Sequence, residues 1–332
     1  MKPIAAILGA GSFGTAMANI IARNGEVWLW GRNPAVLAQA RATGKLAGQD
    51  LHPQVRLTDQ LSEAAQADII LPIIPSQAFS EVIRQLVPYL RPTHFLVHGT
   101  KGLDPDFTGP GFRTMSGILN DLTGLDRIGC LAGPNLAREM AEDKPTATVV
   151  ASSHPEVLQV LPDILRTPRF QVLIGDDLRG IELCGVLKNI MAIPAGALHT
   201  YALGENAKAL LVNRCMVEMI HLGLHMGAAL RSFLGVAGFG DLMATCSSPN
   251  SRNFTVGRLL AEGKNLTQIR ELMDETAEGV NTARVVHHLA QANGWKAPIT
   301  RMVYRVLFED YPPEDAINLL MKLPLKEDID FI

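Results

Sequence analysis

The first half of the chain alternates short apolar runs with segments of helical periodicity. Helical periodicity covers Ser12–Arg23 and Ser76–Leu90. Apolar runs predict seven strands: Pro3–Gly9, Glu26–Gly31, Asp68–Ile74, Phe95–Gly99, Ile128–Ala132, Ala147–Ala151 and Phe170–Ile174. Strands that alternate with helices indicate a parallel, doubly wound sheet. We therefore expect an α/β domain over residues 1–177.

The second half changes character near Gly175–Leu178. Long segments of helical periodicity are separated there by Gly, Pro and Asn, and no alternating strand pattern remains. The predicted helices are Leu178–Ala202, Asn206–Leu222, Thr255–Glu262, Leu266–Met273, Val280–Ala292 and Pro313–Met321. We expect residues 178–332 to form an all-α domain.

Length and composition agree with two domains and narrow the choice of partners. A chain of 332 residues suits two cores of about 150 residues each. The formal net charge is −3 and no basic tract is present, which argues against a nucleic-acid partner. The longest apolar runs, such as Ile69–Ile74, are far shorter than the ~20 residues of a membrane span. An N-terminal secretion signal is not expected, since its apolar stretch is too short.

The cysteines carry no metal-site or disulfide signature. Their spacing shows no CxxC or Cys/His ligand pattern, which favours buried thiols in a reducing, cytoplasmic setting. The four positions are Cys130, Cys184, Cys215 and Cys246.

A glycine-rich turn follows the first predicted strand and opens the first predicted helix. Its sequence, Gly9-Ala10-Gly11-Ser12-Phe13-Gly14, matches the dinucleotide fingerprint G-x-G-x-x-G. Gly9 permits the tight turn, Gly11 lets the backbone approach a pyrophosphate, and Gly14 lets the helix pack closely on the strand. The helix N-terminus favours the phosphate charge. We expect a Rossmann-type domain that binds NAD(H) or NADP(H).

The end of the second strand bears on the choice between those cofactors. An acidic residue there normally binds the adenosine ribose, but this chain has Trp30-Gly31-Arg32-Asn33. Arg32 can pair with a 2′-phosphate, so NADPH should be accepted. A solvated surface arginine is an equally good interpretation, and the preference stays open.

The helical half contains polar groups that a core does not require. Lys188 lies in a predicted helix among apolar neighbours, where loss of solvation would lower its pKa toward a range useful for proton transfer. Asp241 follows Gly238-Phe239-Gly240, which is also typical of a helix N-cap. Ser251-Arg252-Asn253 suits a phosphate, and Lys101 follows a strand end where α/β sheets bind ligands. Taken singly, each is better explained by a structural role: a snorkelling lysine, a helix N-cap and solvated surface cations.

The order of these motifs resembles the NAD(P)-dependent glycerol-3-phosphate dehydrogenases of bacteria. The similarity extends from Gly9 to beyond Glu278, with the two-domain layout of that family. It rests on the blocks GAGSFG, GTKG, GPN, ELCGVLKN, GFGDL, TC, SRN and AEG.

The resemblance implies a function and a set of site residues. The enzyme would interconvert dihydroxyacetone phosphate and sn-glycerol 3-phosphate, the latter for phospholipid synthesis. Lys188 would be the general acid/base, with Lys101, Asp241 and Thr245 as further catalytic residues. The implied substrate-binding residues are Lys101, Gly133, Asn135, Lys188, Asn189, Asp241, Ser251, Arg252 and Asn253. The implied cofactor-binding residues are Gly9, Gly11, Ser12, Phe13, Gly14, Arg32, Lys101, Ala137, Arg252, Thr276 and Glu278.

Two positions depart from the family pattern. Asn135 follows Gly133-Pro134 where Ser or Thr is common, which makes its substrate contact the least certain of the set. Phe13 replaces a common Trp and conserves an aromatic wall.

Other classes fit the chain less well. A β-hydroxyacid dehydrogenase also uses a helical Lys but lacks the SRN block, and no tyrosine has a Lys four residues later, as a short-chain dehydrogenase would require. A non-catalytic dinucleotide sensor would not need Lys188 and Asp241. His221 and His225 have helical i,i+4 spacing, but no Glu follows His221, so no metal is expected. The expected partner is a small-molecule substrate, and a homodimer is expected by analogy.

Overall fold

A computed structural model describes residues 3–109, 111–273 and 277–322. The chain divides into two compact units. The N-terminal unit comprises residues 1–106 and 113–178, and the helical unit comprises residues 107–112 and 179–332. The N-terminal unit thus ends at Leu178, one residue beyond the boundary expected from the sequence.

The N-terminal unit contains ten strands, seven α-helices and a 3-10 turn at Val87–Tyr89 among the residues that are described. The strands are β1 (Ala5–Leu8), β2 (Val27–Trp30), β3 (Lys45–Leu46), β4 (Gln49–Asp50), β5 (Val55–Thr58), β6 (Ile69–Pro72), β7 (Phe95–His98), β8 (Ile128–Ala132), β9 (Thr146–Ser152) and β10 (Phe170–Gly175). The helices are α1 (Ser12–Ala22), α2 (Pro34–Thr43), α3 (Leu61–Ala64), α4 (Ser76–Leu86), α5 (Met115–Thr123), α6 (Ala137–Ala141) and α7 (Pro155–Leu165).

Eight of these strands form one sheet, in the order β10-β9-β8-β7-β6-β1-β2-β5. The six strands from β8 to β5 in that order are mutually parallel, as the sequence predicts. β9 pairs with β8 antiparallel and with β10 parallel, so the last two strands run against the rest. The expectation of a wholly parallel sheet is therefore wrong for β9 and β10. The connection from β8 to β9 contains only the short helix α6, and β9 returns alongside β8 in the opposite direction.

The central strands are buried on both faces. Every residue of β1 is buried, with Ala5 and Ile7 in one hydrophobic cluster and Ala6 and Leu8 in the other. Helix α1 packs in the first cluster, and α4 and α5 pack in the second. This two-sided burial is why the strands read as continuous apolar runs. The doubly wound fold class predicted from the sequence is confirmed.

The helical unit has nine α-helices among its described residues, and no strand is described there, as expected. They are α8 (Leu178–Thr200), α9 (Gly204–His225), α10 (Leu230–Leu234), α11 (Asp241–Ser247), α12 (Arg252–Ala261), α13 (Leu266–Leu272), α14 (Glu278–Asn293), α15 (Pro298–Phe308) and α16 (Pro313–Met321).

Helix α8 is the most buried element of the helical unit. All residues from Gly180 to Leu198 are buried. By length and hydropathy it is the one described helix that could cross a membrane, yet its most apolar 18-residue window is wholly buried. It is therefore a core helix, whose lysine and asparagine side chains lie inside the protein.

Helix α12 begins three residues earlier than its periodicity predicts. Ser251 is the N-cap, and its Oγ accepts a hydrogen bond of 3.3 Å from the backbone N–H of Phe254. This cap brings Arg252 and Asn253 into the first turn of the helix. The SRN block is therefore a helix start, and its polar residues have a defined backbone geometry.

Candidate active site

The carboxyl ends of β1, β6, β7 and β8 lie at one edge of the sheet, since these strands are parallel. The fingerprint turn follows β1, Gly99-Thr100-Lys101 follows β7, and Gly133 follows β8. Ligands of open α/β sheets bind at this edge. Arg32 follows β2, which is parallel to β1 and ends at the same edge. The sequence-predicted residues of the N-terminal unit therefore follow strands that all end at this edge of the sheet.

The fingerprint glycines are required by close backbone contacts. Gly9 has a φ of +131°, and a Cβ there would lie 2.0 Å from the carbonyl oxygen of Ile73. A Cβ on Gly14 would lie 1.8 Å from the carbonyl oxygen of Gly9. Gly11 is the N-cap of α1, no side chain caps this helix, and no acidic residue lies in its first turn. Such a turn fits the pyrophosphate of a dinucleotide.

Lys101 lies beside the fingerprint turn. Its Nζ donates a hydrogen bond of 3.1 Å to the carbonyl oxygen of Gly133 and lies 6.0 Å from the centre of the Phe13 ring. A Cβ on Gly99 would come within 3.1 Å of the Phe13 ring. The aromatic wall expected at position 13 therefore packs against the turn that carries Lys101.

Gly133 and Asn135 follow β8 and pack against β9. Gly133 has a φ of +151°, and a Cβ there would lie 2.9 Å from the carbonyl oxygen of Ala147. The Asn135 side chain donates to that same oxygen at 2.9 Å and accepts from the Thr148 hydroxyl at 3.0 Å. Both ends of the Asn135 amide thus bind β9, which makes it the weakest candidate for a substrate contact. Ala137 is the first residue of α6.

Two residues on the other side of the fingerprint turn also bear on nucleotide binding. Arg32 is exposed after β2 and forms no hydrogen bond or ion pair with any residue that the structure describes. Gln49, which the sequence analysis missed, is buried on β4 and donates a hydrogen bond of 2.8 Å to the carbonyl oxygen of Ser12. No sequence signal marks Gln49, because its contact depends on how the β3–β4 hairpin packs on α1.

In the helical unit, Lys188 forms a buried ion pair. Its Nζ lies 2.9 Å from Asp241 Oδ1 and donates a hydrogen bond of 2.6 Å to Thr245 Oγ1. The side chains of Lys188 and Asp241 are only 6% and 2% exposed. Pairing offsets the large cost of burying either charge alone. A snorkelling lysine is excluded by this burial.

The local fold explains why Asp241 faces Lys188. A single π-helical turn, Val236–Gly240, leads directly into α11, and Asp241 is the first residue of that helix. A Cβ on Gly238 would lie 2.2 Å from the carbonyl oxygen of Phe233, so this turn requires glycine. The Thr245 hydroxyl also lies 3.2 Å from Asp241 Oδ1. Asp241 is therefore not the helix cap that its sequence context suggested; the cap is Gly240.

The SRN block is joined to the lysine helix by a side-chain hydrogen bond. Asn253 donates to Asn189 Oδ1 at 2.9 Å, and these residues directly follow Arg252 and Lys188 in sequence. Arg252 is exposed at the start of α12. Glu278 begins α14, while Thr276 lies outside the described residues.

The histidine and cysteine side chains are further candidate ligands of a metal ion. Among residues 3–109, 111–273 and 277–322, no group of three His, Cys, Asp or Glu side chains could hold a metal ion. The His221 and His225 rings lie 4.4 Å apart, and His225 Nδ1 bonds the His221 carbonyl oxygen at 2.9 Å. All four cysteines are buried and none forms a disulfide.

A dinucleotide-binding turn in one unit and a buried, carboxylate-paired lysine in the other define a nicotinamide-dependent oxidoreductase. Comparison with known proteins specifies the class. Family models described as the N-terminus and the C-terminus of NAD-dependent glycerol-3-phosphate dehydrogenase match residues 4–158 and 177–318.

Individual relatives agree over their full lengths. The glycerol-3-phosphate dehydrogenase of Alcanivorax borkumensis, named for NAD(P)+, is 40% identical, with 99% of this chain and 97% of the relative covered. A Pseudomonas fluorescens protein of the same name is 41% identical, with coverages of 100% and 97%. The crystal structure of glycerol-3-phosphate dehydrogenase from Coxiella burnetii superposes with a TM-score of 0.90 at 34% identity, covering 97% of this chain and 99% of that chain.

The chain belongs to the NAD(P)-dependent glycerol-3-phosphate dehydrogenase family, and it is an oxidoreductase of that specificity. A ketopantoate reductase from Ralstonia eutropha shares the fold alone, with a TM-score of 0.59 at 17% identity. The resemblance drawn from the sequence motifs is confirmed.

Proposed function

We propose that the enzyme reduces dihydroxyacetone phosphate to sn-glycerol 3-phosphate, with Lys188 as the proton donor. The observation that carries this assignment is the buried contact of the Lys188 ammonium with Asp241 and Thr245. An amine held in one place by two partners is suited to repeated proton transfer.

The cofactor, held by the fingerprint turn, would supply the hydride that the carbonyl carbon C2 of the substrate takes up. Negative charge then develops on the C2 oxygen, and the Lys188 ammonium donates a proton to it. Stabilising charge that appears in the transition state is usually the largest single catalytic effect. Asp241 holds the ammonium in place and accepts a hydrogen bond from a substrate hydroxyl, and Thr245 supports that arrangement. In the oxidising direction the neutral amine accepts the proton.

Arg252 is proposed to bind the substrate phosphate. Its side chain is exposed, and the Ser251 cap fixes the backbone at the helix start from which it projects. A guanidinium offers two parallel N–H donors to a phosphate. The family resemblance implies that Ser251 and Asn253 help Arg252 to bind the phosphate. It also implies that Lys101, with Gly133 and Asn189, orients the substrate oxygen.

The fingerprint turn is proposed to bind the dinucleotide through Gly9, Gly11, Ser12, Phe13 and Gly14. Arg32 binds the 2′-phosphate of NADPH by donating hydrogen bonds to it. Its guanidinium is exposed and unpaired among the described residues, which leaves it available for this contact. Further cofactor contacts, proposed from the resemblance, involve Lys101, Ala137, Arg252, Thr276 and Glu278.

The cellular role is proposed to be supply of sn-glycerol 3-phosphate for phospholipid synthesis in the cytoplasm, by a homodimer. These three statements follow from the family resemblance, and the buried, unbridged cysteines support a reducing compartment. Size-exclusion chromatography with light scattering tests the dimer.

The test of the reaction is the absorbance of reduced nicotinamide during incubation with dihydroxyacetone phosphate. Lys188→Ala should lower kcat at least ~100-fold, the lower limit for loss of a general acid. Arg252→Ala should mainly raise the substrate KM, because a phosphate contact is lost. Lys264→Ala, at an exposed lysine of the same unit, is the matched control and should behave as wild type.

Two outcomes contradict the proposal. Near wild-type turnover in Lys188→Ala removes Lys188 as the acid. Reduction of unphosphorylated dihydroxyacetone with no reaction of its phosphate ester removes the phosphate site.

A further inference from the structure

A short hairpin, β3–β4, is attached to the helix that follows the fingerprint turn. Leu46 of the hairpin is buried in the same hydrophobic cluster as Met17 of α1. The Asn19 side chain on α1 donates a hydrogen bond of 2.8 Å to the carbonyl oxygen of Asp50 and accepts one of 2.9 Å from the backbone N–H of His52. These contacts hold the hairpin against α1 beyond the first turn of the helix.

Gln49 makes a different contact, with the first turn of α1. Its side chain is buried, and its Nε2 donates a hydrogen bond of 2.8 Å to the carbonyl oxygen of Ser12. Its Oε1 is also buried and accepts no hydrogen bond from any residue that the structure describes. A buried acceptor without a partner is destabilising, and an apolar side chain of the same shape would avoid that cost. Attachment of the hairpin does not explain this glutamine, since Leu46 and Asn19 already provide it.

The Ser12 carbonyl belongs to a peptide group at the start of the helix. The same peptide group carries the N–H of Phe13. The first backbone N–H groups of a helix have no partner within the helix and bind anions well. No side chain caps α1, and no acidic residue lies in its first turn. A hydrogen bond donated to a peptide carbonyl polarises the group and strengthens its N–H as a donor.

We propose that Gln49 is a positioning residue for the cofactor. It holds and polarises the peptide group between Ser12 and Phe13, so that the Phe13 N–H binds the pyrophosphate more tightly. This inference rests on the proposed function, because it takes the fingerprint turn as the pyrophosphate site. Gln49 acts through the Ser12 carbonyl and needs no contact with the cofactor. Since the pyrophosphate is common to NADH and NADPH, the effect is the same for both, unlike that of Arg32.

The experiment compares cofactor affinity with stability. It measures the Kd of NADH and of NADPH by fluorescence, the inhibition constant of ADP-ribose, which carries the pyrophosphate without nicotinamide, and the melting temperature by circular dichroism. Gln49→Met removes both the donor and the unpartnered acceptor and keeps the length of the side chain. Gln39→Met, at an exposed glutamine on α2, is the matched control. Values of kcat and of the KM for dihydroxyacetone phosphate are recorded at saturating cofactor.

Gln49→Met should weaken cofactor binding without destabilising the protein. We expect both Kd values and the inhibition constant of ADP-ribose to rise by a common factor of about three to ten, the size of one net hydrogen bond. The melting temperature should stay within about 2 °C of wild type or rise, because loss of the bond is offset by loss of the unpartnered acceptor. The kcat and the substrate KM should be unchanged, and Gln39→Met should match wild type throughout.

A second variant separates Gln49 from the attachment of the hairpin. Asn19→Leu removes the two hydrogen bonds to the hairpin backbone and should lower the melting temperature. It should raise the two Kd values no more than Gln49→Met does. The double variant Asn19→Leu/Gln49→Met should bind both cofactors as Gln49→Met does, since the hairpin acts on the turn only through Gln49.

Four results overturn the inference. Unchanged cofactor affinity in Gln49→Met means that Gln49 only packs the hairpin. A change confined to NADPH places the effect at the 2′-phosphate, and an unchanged inhibition constant of ADP-ribose places it at the nicotinamide. Additive losses of affinity in the double variant mean that the hairpin acts on the site by another route.

Two further points keep the test decisive. If Gln49→Met does not fold, Gln49→Leu, which also lacks the donor, decides the inference by the same measurements. Failure of the proposed function is separate from failure of the inference. It appears as a Gly14→Ala variant that binds the cofactors as tightly as wild type, which removes the fingerprint turn itself as the pyrophosphate site.

Discussion

The sharpest pH prediction concerns Glu218, a carboxylate buried in α9. Its Oε2 accepts from the Ile299 N–H at 2.6 Å, and its Oε1 accepts from the Thr300 N–H at 2.8 Å and the Thr300 hydroxyl at 2.6 Å. Helix α15 begins at Pro298, and its own N-cap residue, Ala297, supplies no side-chain hydrogen bond. Glu218 therefore caps this helix from a different part of the chain.

Burial raises the pKa of Glu218 from 4.5 to about 7, although the three donors act in the opposite direction. The unfolded chain ionises near pH 4.5, while the folded protein keeps this proton until about pH 7. The stabilising contribution of Glu218 is thus complete below pH 4.5 and is lost as the pH rises through 7. Because the folded protein holds this proton more tightly than the unfolded chain does, the free energy of unfolding should fall by about 2 to 3 kcal/mol between pH 5 and pH 8.

Glu218→Gln removes the titration and keeps the shape of the side chain. The assay is urea unfolding of wild type and variant at several values between pH 5 and pH 8, followed by circular dichroism. The free energy of unfolding of wild type, minus that of Glu218→Gln, should fall by about 2 to 3 kcal/mol across this range. Glu205→Gln is the control on the same helix, since the Glu205 side chain is 90% exposed. Its difference from wild type should stay within about 0.5 kcal/mol at every pH.

A Glu218→Gln difference that is independent of pH, or that grows as the pH rises, would refute this reasoning. The first result means that Glu218 titrates alike in the folded and unfolded states. The second means that its three hydrogen bonds outweigh its burial, so that the folded protein prefers the carboxylate.

Three further predictions address the site. Asp241→Ala leaves the Lys188 ammonium buried without its carboxylate and should lower the free energy of unfolding by about 3 to 5 kcal/mol, measured by urea titration; an unchanged stability would mean that Lys188 is neutral. Gly14→Ala places a Cβ 1.8 Å from the Gly9 carbonyl oxygen and should abolish cofactor binding in a folded protein, measured by fluorescence of reduced nicotinamide; tight binding would show that the turn can adjust. Arg32→Ala should raise the KM for NADPH but not that for NADH, and equal effects on both would remove Arg32 from the 2′-phosphate site.

The sequence was sufficient to predict the features that depend only on residues close together along the chain. The glycines at 9, 11 and 14 identify the dinucleotide turn, because only residues without a Cβ allow that strand–helix geometry. Continuous apolar runs such as Ile69–Pro72 identified strands buried on both faces. The motif order also identified the family, since Lys188, Asp241 and the SRN block recur at family spacing.

Features set by packing between distant segments were not visible in the sequence. Periodicity shows that a strand exists but not its direction, so the antiparallel placement of β9 was missed. In the sequence, nothing distinguishes Glu218 from other charged residues of a helix. Its contact with the backbone N–H of Ile299, 81 positions away, exists only in the folded chain.

The sequence by itself thus determined the two-domain α/β-then-α organisation and the identity of the groups that are proposed to do the chemistry. Only the tertiary structure decided which of those groups meet. It paired Lys188 with Asp241 and Thr245, engaged Asn135 with β9, and placed Asn253 between Asn189 and Gly279. The physical reason is that hydrogen bonds and steric contacts act over a few ångströms in space, and only close packing of remote helices and strands brings their side chains within that range.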